Sequence, residues 1–350
     1  MNIVITLLVF FGIILIHELG HFLVARACGM DIPEFSIGMG PRLFKLQGKK
    51  TLYSFKLLPI GGSVSLGEDM ESESPSTFVN KPVWQRMLVI VAGAVMNLIL
   101  GFIVCIFSVC STEKIATTMV SGFYKDSVSS QQLMLKDEIV EIGGMPIWTT
   151  MDISYCFQNK AAETDTATNT IYFDMKVKRD GELISLKVPF ALNTSEDRTA
   201  GMIVDFTVQP QDKTVGNVIS AAFRTALTES RLIWISLIDL LTGTYGINDM
   251  SGPIGVVTTM STAYSTMGIE TFLTLVALIT LNLGIFNLLP IPALDGARFV
   301  FLVIEAIRGK RIPPEKEGMV HFIGFALLMI LMLIVTFNDI IKLFTGGFNL

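Results

Sequence analysis

Apolar residues in this chain gather into long runs, and the polar stretches between them are of two different kinds. Runs from about Ile3 to Ala25, Met87 to Cys110, Thr271 to Leu289 and Val320 to Ile341 predict helices near the ~20 residues a bilayer requires. The third run is interrupted after Leu289 and resumes from Phe299 to Ile307. The first run lacks a basic start and is too long for a cleaved signal peptide, so it is expected to stay as a span.

Between the first two spans, glycine-rich turns separate short apolar segments: Phe35 to Pro41, Leu52 to Leu58, and Leu58 to Leu66. This pattern predicts β-hairpins. Two readings of it stay open: an amphipathic cytoplasmic loop, or a hairpin dipping toward the first span with a strand edge free for a substrate. A polar, acidic linker from Glu68 to Ser76 follows.

The long polar region opens with alternating positions that predict a β-rich module over 113–205. Its clearest element is Ile171 to Lys178, a turn at Asp180-Gly181, and Leu183 to Val188. Residues 215–242 carry apolar side chains at helical spacing with Arg224, Glu229, Arg231 and Asp239 interspersed. Charges that frequent predict a helix lying on the bilayer surface rather than through it. Ser251-Gly252-Pro253-Ile254-Gly255 predicts a turn into the third span. The expected organisation is therefore an N-terminal membrane half (1–112), the β-rich module (113–205), an amphipathic helix and connector (206–270), and a C-terminal membrane half (271–350).

Composition agrees with this pattern. Of 350 residues, 51% are hydrophobic and 16% charged, and the mean hydropathy is +0.59. Soluble chains carry about 25% charged residues. The formal charge of −5 is not gathered into a basic stripe, which argues against nucleic acid as a partner. Basic residues crowd two segments, from Arg26 to Arg86 and from Arg308 to Lys316. The positive-inside rule places both in the cytoplasm, and both termini and the 111–270 region outside. The four cysteines include no Cys-x-x-Cys pair, so neither a thiolate metal site nor a redox pair is expected.

Chemistry enters at His17-Glu18-Leu19-Gly20-His21, within the first span. Residues i and i+4 share a helix face, so both imidazoles can reach one zinc ion, with Glu18 beside them to deprotonate a bound water. Ionisable residues inside a membrane mark function by default. A catalytic zinc site takes three protein ligands. The broken third span offers Asp295 in Asn287-Leu288-Leu289-Pro290-Ile291-Pro292-Ala293-Leu294-Asp295-Gly296. Asp295 could instead cap the helix that follows or pair with Arg298, while Asp239 and Asp339 compete weakly because neither follows a helix break. His321 reads as a satisfied interfacial histidine. In Ala92-Gly93-Ala94-Val95-Met96-Asn97, small residues permit close helix approach, and Asn97 serves either as packing glue or as a donor near the metal. The residues alone leave a metal transporter open as an alternative, although its polar groups should line several spans rather than gather at one depth.

Together these motifs resemble the site-2 protease family of intramembrane zinc metalloproteases, in particular the bacterial regulator-of-sigma-E-protease type. The resemblance rests on His-Glu-Leu-Gly-His, Gly38-Met39-Gly40-Pro41, Leu58-Pro59-Ile60-Gly61-Gly62, the Ala92 to Asn97 segment, Ser251-Gly252-Pro253 and the Asn287 to Gly296 segment, in order along nearly the whole chain. Leu133, Asp137, Ile139, Ile142 and Gly144 similarly resemble a PDZ pattern. The family resemblance implies a polytopic α-helical bacterial cell-membrane protein of about four spans, with a membrane-associated hairpin and an inserted extracytoplasmic PDZ-like domain. It implies that His17, His21 and Asp295 bind Zn2+, that Glu18 is the general base, and that Asn97, Asn287, Gly93, Pro290 and Pro292 handle substrate. The implied substrates are single-span proteins such as anti-sigma factors, already cut outside by a site-1-type protease, and remnant signal peptides. Ala94, Met39 and Ala297 depart from residues common in the family, where Pro, Phe and a second Gly are usual; none is a ligand position.

Overall fold

The computed structural model describes residues 2–66, 74–159, 163–165, 169–193, 201–202, 204–244, 246 and 250–345. Most of the acidic linker from Glu68 to Ser76 lies outside the described residues. The chain runs through α1 (Asn2–Ala27), β1 (Glu34–Gln47), β2 (Leu52–Ser65) and α2 (Val83–Ser111). Next come β3 (Ile115–Phe123), β4 (Glu138–Ile142), β5 (Met145–Pro146), α3 (Thr150–Asn159), β6 (Glu163–Asp165), β7 (Thr170–Arg179), β8 (Glu182–Asn193), β9 (Gly201–Met202) and β10 (Phe206–Gln211). It closes with α4 (Val215–Thr242), α5 (Pro253–Thr262), α6 (Ile269–Leu288), α7 (Asp295–Arg308) and α8 (Pro314–Thr345). Four of the described helices, α1, α2, α6 and α8, are long and apolar enough to cross a membrane. The chain divides into two compact units, residues 1–105 with 232–350, and residues 106–231.

The helical unit is closed by backbone-to-backbone approach where side chains are missing. A Cβ on Gly20 of α1 would lie 2.5 Å from the Ala92 carbonyl oxygen of α2. On the other side of α2, a Cβ on Gly284 of α6 would lie 3.1 Å from the Ala94 carbonyl oxygen. Small residues supply this closeness in lipid, where no hydrophobic drive brings helices together. Two apolar clusters flank the level of His17 and His21. Phe22, Ala25, Phe35, Val89, Ile90 and Leu302 join the end of α1 to the hairpin, α2 and α7. Met260, Phe272 and Val276 pack with Ile5, Val9 and Phe10 from the start of α1. The apolar side chains of α8 remain largely exposed, Phe322, Leu327, Leu333 and Phe337 among them, as suits a helix whose solvent is lipid.

β1 and β2 are each bent, so the expected hairpin is folded into four short segments. Residues 34–37 pair with 52–55 in parallel register; 44–47 flank one side and 62–65 the other, with registers running the opposite way. Positive φ at Gly38, Gly40 and Gly61 (86°, 89° and 78°) allows the bends. Segment 62–65 is an edge of this sheet. In the second unit, β10-β3-β4-β7-β8-β9 form the sheet path, and the β7–β8 turn falls at Asp180-Gly181 with φ of 51° and 92°. Val120, Leu133, Ile139, Ile142, Phe173 and Phe190 fill its core.

Two expectations are corrected. The segment from Ser251 to Gly255 is not merely a turn: it opens α5, which passes into a π-helical stretch over Ala263–Met267 before α6. Asp339 of α8 makes that possible by accepting the Gly252 and Gly255 N–H groups at 3.1 and 2.8 Å, which satisfies orphan donors at the helix start. The helix after the break begins at Asp295, four residues before Phe299.

Candidate metal centre

One turn of α1 separates His17 from His21, and their rings stand nearly perpendicular with centroids 4.8 Å apart. The two Nε2 atoms approach to 3.2 Å. Nδ1 of His21 donates to the Val89 carbonyl oxygen at 2.7 Å, so Nε2 keeps its lone pair. His17 Nδ1 lies 3.4 Å from the Asn97 amide, whose Oδ1 is buried without a partner. With its amide turned, Asn97 would meet a proton on Nδ1 with that oxygen and leave the second Nε2 equally free. Gly93 backs both rings. A Cβ there would fall on His21 Nε2 and within 2.8 Å of His17 Cε1.

Asp295 arrives from the break. Leu289 leaves the helical path at ψ 145°, and the first turn of α7 folds back on the end of α6. Gly296 permits this, since a Cβ would lie 2.5 Å from the Leu288 carbonyl oxygen. Asp295 Oδ2 comes within 3.1 Å of His17 Nε2 and 3.2 Å of His21 Nε2, with no ordinary hydrogen bond to satisfy it. Leu294, not Asp295, holds the N-cap position of α7, and Arg298 is turned to Glu317 at 3.8 Å. Neither alternative use of Asp295 is made.

Three lone-pair atoms from two helices thus converge in an apolar setting. Ligands about 2.0–2.1 Å from a tetrahedral zinc stand roughly 3.3 Å apart. The observed 3.1–3.2 Å separations match that edge, and the two-imidazole, one-carboxylate donor set suits zinc. Among the described residues this is the group of histidine, cysteine and acidic side chains able to hold a metal ion. Asp239 and Asp339 take no part in it.

Glu18 lies beside this triangle. The Val64 backbone of the edge segment faces its carboxylate, and a Cβ on Gly62 would lie 2.6 Å from Glu18 Cγ. The contacts of Val89, Gly62 and Val64 were not readable from the motifs, because each acts through backbone or through a missing side chain. Asn287 is half-buried in the last turn of α6, Pro290 is exposed, and Pro292 touches α8 near Gly324. Of the five residues expected to handle substrate, Asn97 and Gly93 adjoin the imidazoles themselves.

Residues 5–331 match the model of peptidase family M50. The chain is 31% identical to the regulator of sigma-W protease RasP of Bacillus subtilis, over 98% of this chain and 99% of that one. It is 30% identical to zinc metalloprotease RasP of Geobacillus kaustophilus, over 97% and 98%. A Clostridium acetobutylicum protein that bears a zinc metalloprotease name is 36% identical over 97% of both chains.

Proposed function

The chain belongs to peptidase family M50 as a multi-pass site-2-type zinc metalloprotease, and from that premise we propose that it cleaves single-span membrane proteins within the bilayer. The observation that carries this reading is the convergence of His17 Nε2, His21 Nε2 and Asp295 Oδ2, with both histidines on the apolar helix α1. These three would hold the zinc, which supplies Lewis acidity and makes water nucleophilic at neutral pH. Glu18 takes the proton of the attacking water and passes it to the leaving amine. Asn97 keeps His17 oriented, and Asn287, Pro290 and Pro292 line the approach of the substrate.

A helical substrate hides its carbonyls and must be drawn out before hydrolysis. The edge segment 62–65 ends beside Glu18, which favours the hairpin reading over a plain loop: an added strand there would run past the general base. The name of the Bacillus subtilis relative links that protein to sigma-W. By extension, we infer anti-sigma-factor-like substrates for this chain, cut first outside by a site-1-type protease, with remnant signal peptides as a further class. The β-rich region would be a PDZ-like extracytoplasmic module that excludes untrimmed substrates, both termini lying on the same side. Phe223, Leu227, Trp234 and Ile238 expose one apolar stripe along α4, which supports the interfacial assignment. The chain would then comprise an N-terminal membrane half (1–112), the PDZ-like module (113–205), an amphipathic helix and connector (206–270) and a C-terminal membrane half (271–350).

Glu18→Gln tests it. The variant should keep its zinc and lose cleavage of a model transmembrane substrate by about 10²-fold or more. Undiminished cleavage would reject the assignment.

A further inference from the structure

Asp295 depends on a segment that has little structure of its own. Between α6 and α7, Pro290 and Pro292 supply no N–H, leaving three donors at Ile291, Ala293 and Leu294. Ile291 donates to the Leu289 carbonyl at 2.7 Å and Leu294 to that of Ile291 at 3.1 Å. The third bond leaves the segment: the Ala293 N–H donates to His321 Nδ1 of α8 at 3.0 Å. Ala293 has φ +80°, and among the described residues of the helical unit it is the non-glycine residue in that left-handed region. A side chain disfavours this conformation, which persists where surroundings enforce it.

The surroundings are α8 and α7. The His321 ring meets Phe301 edge-on, centroids 5.7 Å apart, and its Nε2 faces Glu317 at 4.0 Å. One turn further along α8, Gly324 lets the helix lie against Pro292; a Cβ there would come 2.7 Å from the Pro292 carbonyl oxygen. Two successive turns of α8 therefore grip two successive residues of the break.

We propose that His321 is a positioning residue for Asp295, its Nδ1 holding Ala293 in the left-handed turn that carries the carboxylate to His17 and His21. This rests on the metal assignment above. Residues that orient metal ligands from outside the coordination sphere are worth about 10- to 100-fold in affinity.

The test measures zinc affinity of the full-length protein in detergent by chelator competition, together with the visible spectrum of its Co2+ form. His321→Phe keeps a ring but loses the acceptor, and should bind zinc about 10-fold more weakly with an altered Co2+ spectrum. His321→Asn places an oxygen near the former Nδ1 and should restore both. In an Ala293→Gly background, where positive φ is unstrained, His321→Phe should cost less. Wild-type affinity and spectrum in His321→Phe would overturn the proposal. So would an equal loss in His321→Asn, which decides the matter even if the phenylalanine variant fails to fold. Unchanged zinc binding in His17→Ala would instead overturn the metal assignment itself, without reference to His321.

Discussion

His21 donates from Nδ1 to the carbonyl oxygen of Val89 at 2.7 Å, and this bond fixes which nitrogen faces Asp295. An imidazole with both nitrogens exposed to solvent would hold no such preference. The backbone of α2 thus sets the chemistry of α1.

That dependence makes Gly93 sensitive. Gly93→Ala would set a methyl group on the two rings and drive α1 and α2 apart beside His17 and His21. Zinc affinity should fall at least about 10-fold, as for other changes that misorient ligands. Chelator competition measures it, with Gly12→Ala as the control, since a Cβ at Gly12 meets nothing within 4 Å.

Arg86 of α2 is buried and makes a two-pronged ion pair with Glu305 of α7, at 3.1 and 2.5 Å. Removing one partner of such a pair strands a buried charge. Arg86→Met should destabilise the protein by about 3 kcal/mol, the lower end of the usual range. Arg311, 3.4 Å from Glu305, softens the loss. The double variant Arg86→Met with Glu305→Met should recover much of it. Thermal unfolding in detergent reports both.

Asp339→Ala should loosen α5. It removes the acceptor for two buried N–H groups, at a cost of about 1–3 kcal/mol. Hydrogen exchange should quicken at Gly252 and Gly255 well before it does in α1.

Glu229 of α4 is fully buried with neither carboxylate oxygen hydrogen-bonded, and burial pushes its carboxyl up to about 8. The folded protein binds this proton more tightly than the unfolded chain, whose group titrates near 4.5. Its contribution to stability is therefore complete below pH 4.5 and lost as the pH rises through 8. Over that window the loss is roughly 4 to 5 kcal/mol at most. Glu229→Gln should flatten the decline, seen as a melting temperature of the full chain that changes less between pH 5 and pH 8.

What the sequence revealed follows from how local each signal is. The spans are legible because apolar runs need no partner to be recognised. The His17 to His21 spacing is legible because one helical turn puts both rings on a face. Asp180-Gly181 is legible because the turn demands positive φ from two adjacent residues. Asp295 is favoured over Asp239 and Asp339 because it alone of the three follows the prolines that break α6. Other features were hidden because they depend on residues far along the chain. The start of α5 is completed by Asp339, more than eighty residues away. The fold of β1 and β2 into four segments depends on bends at Gly38 and Gly61 rather than on apolar alternation. His321 looked like an ordinary interfacial side chain because its partner is a backbone amide.

The contacts of Gly20 with Ala92 and of Gly284 with Ala94 carry a consequence for the surrounding fluid. Helices that touch main chain to main chain leave no slot wide enough for an acyl tail. Hydrocarbon is thus shut out where α2 meets α1 at Gly20 and where it meets α6 at Gly284.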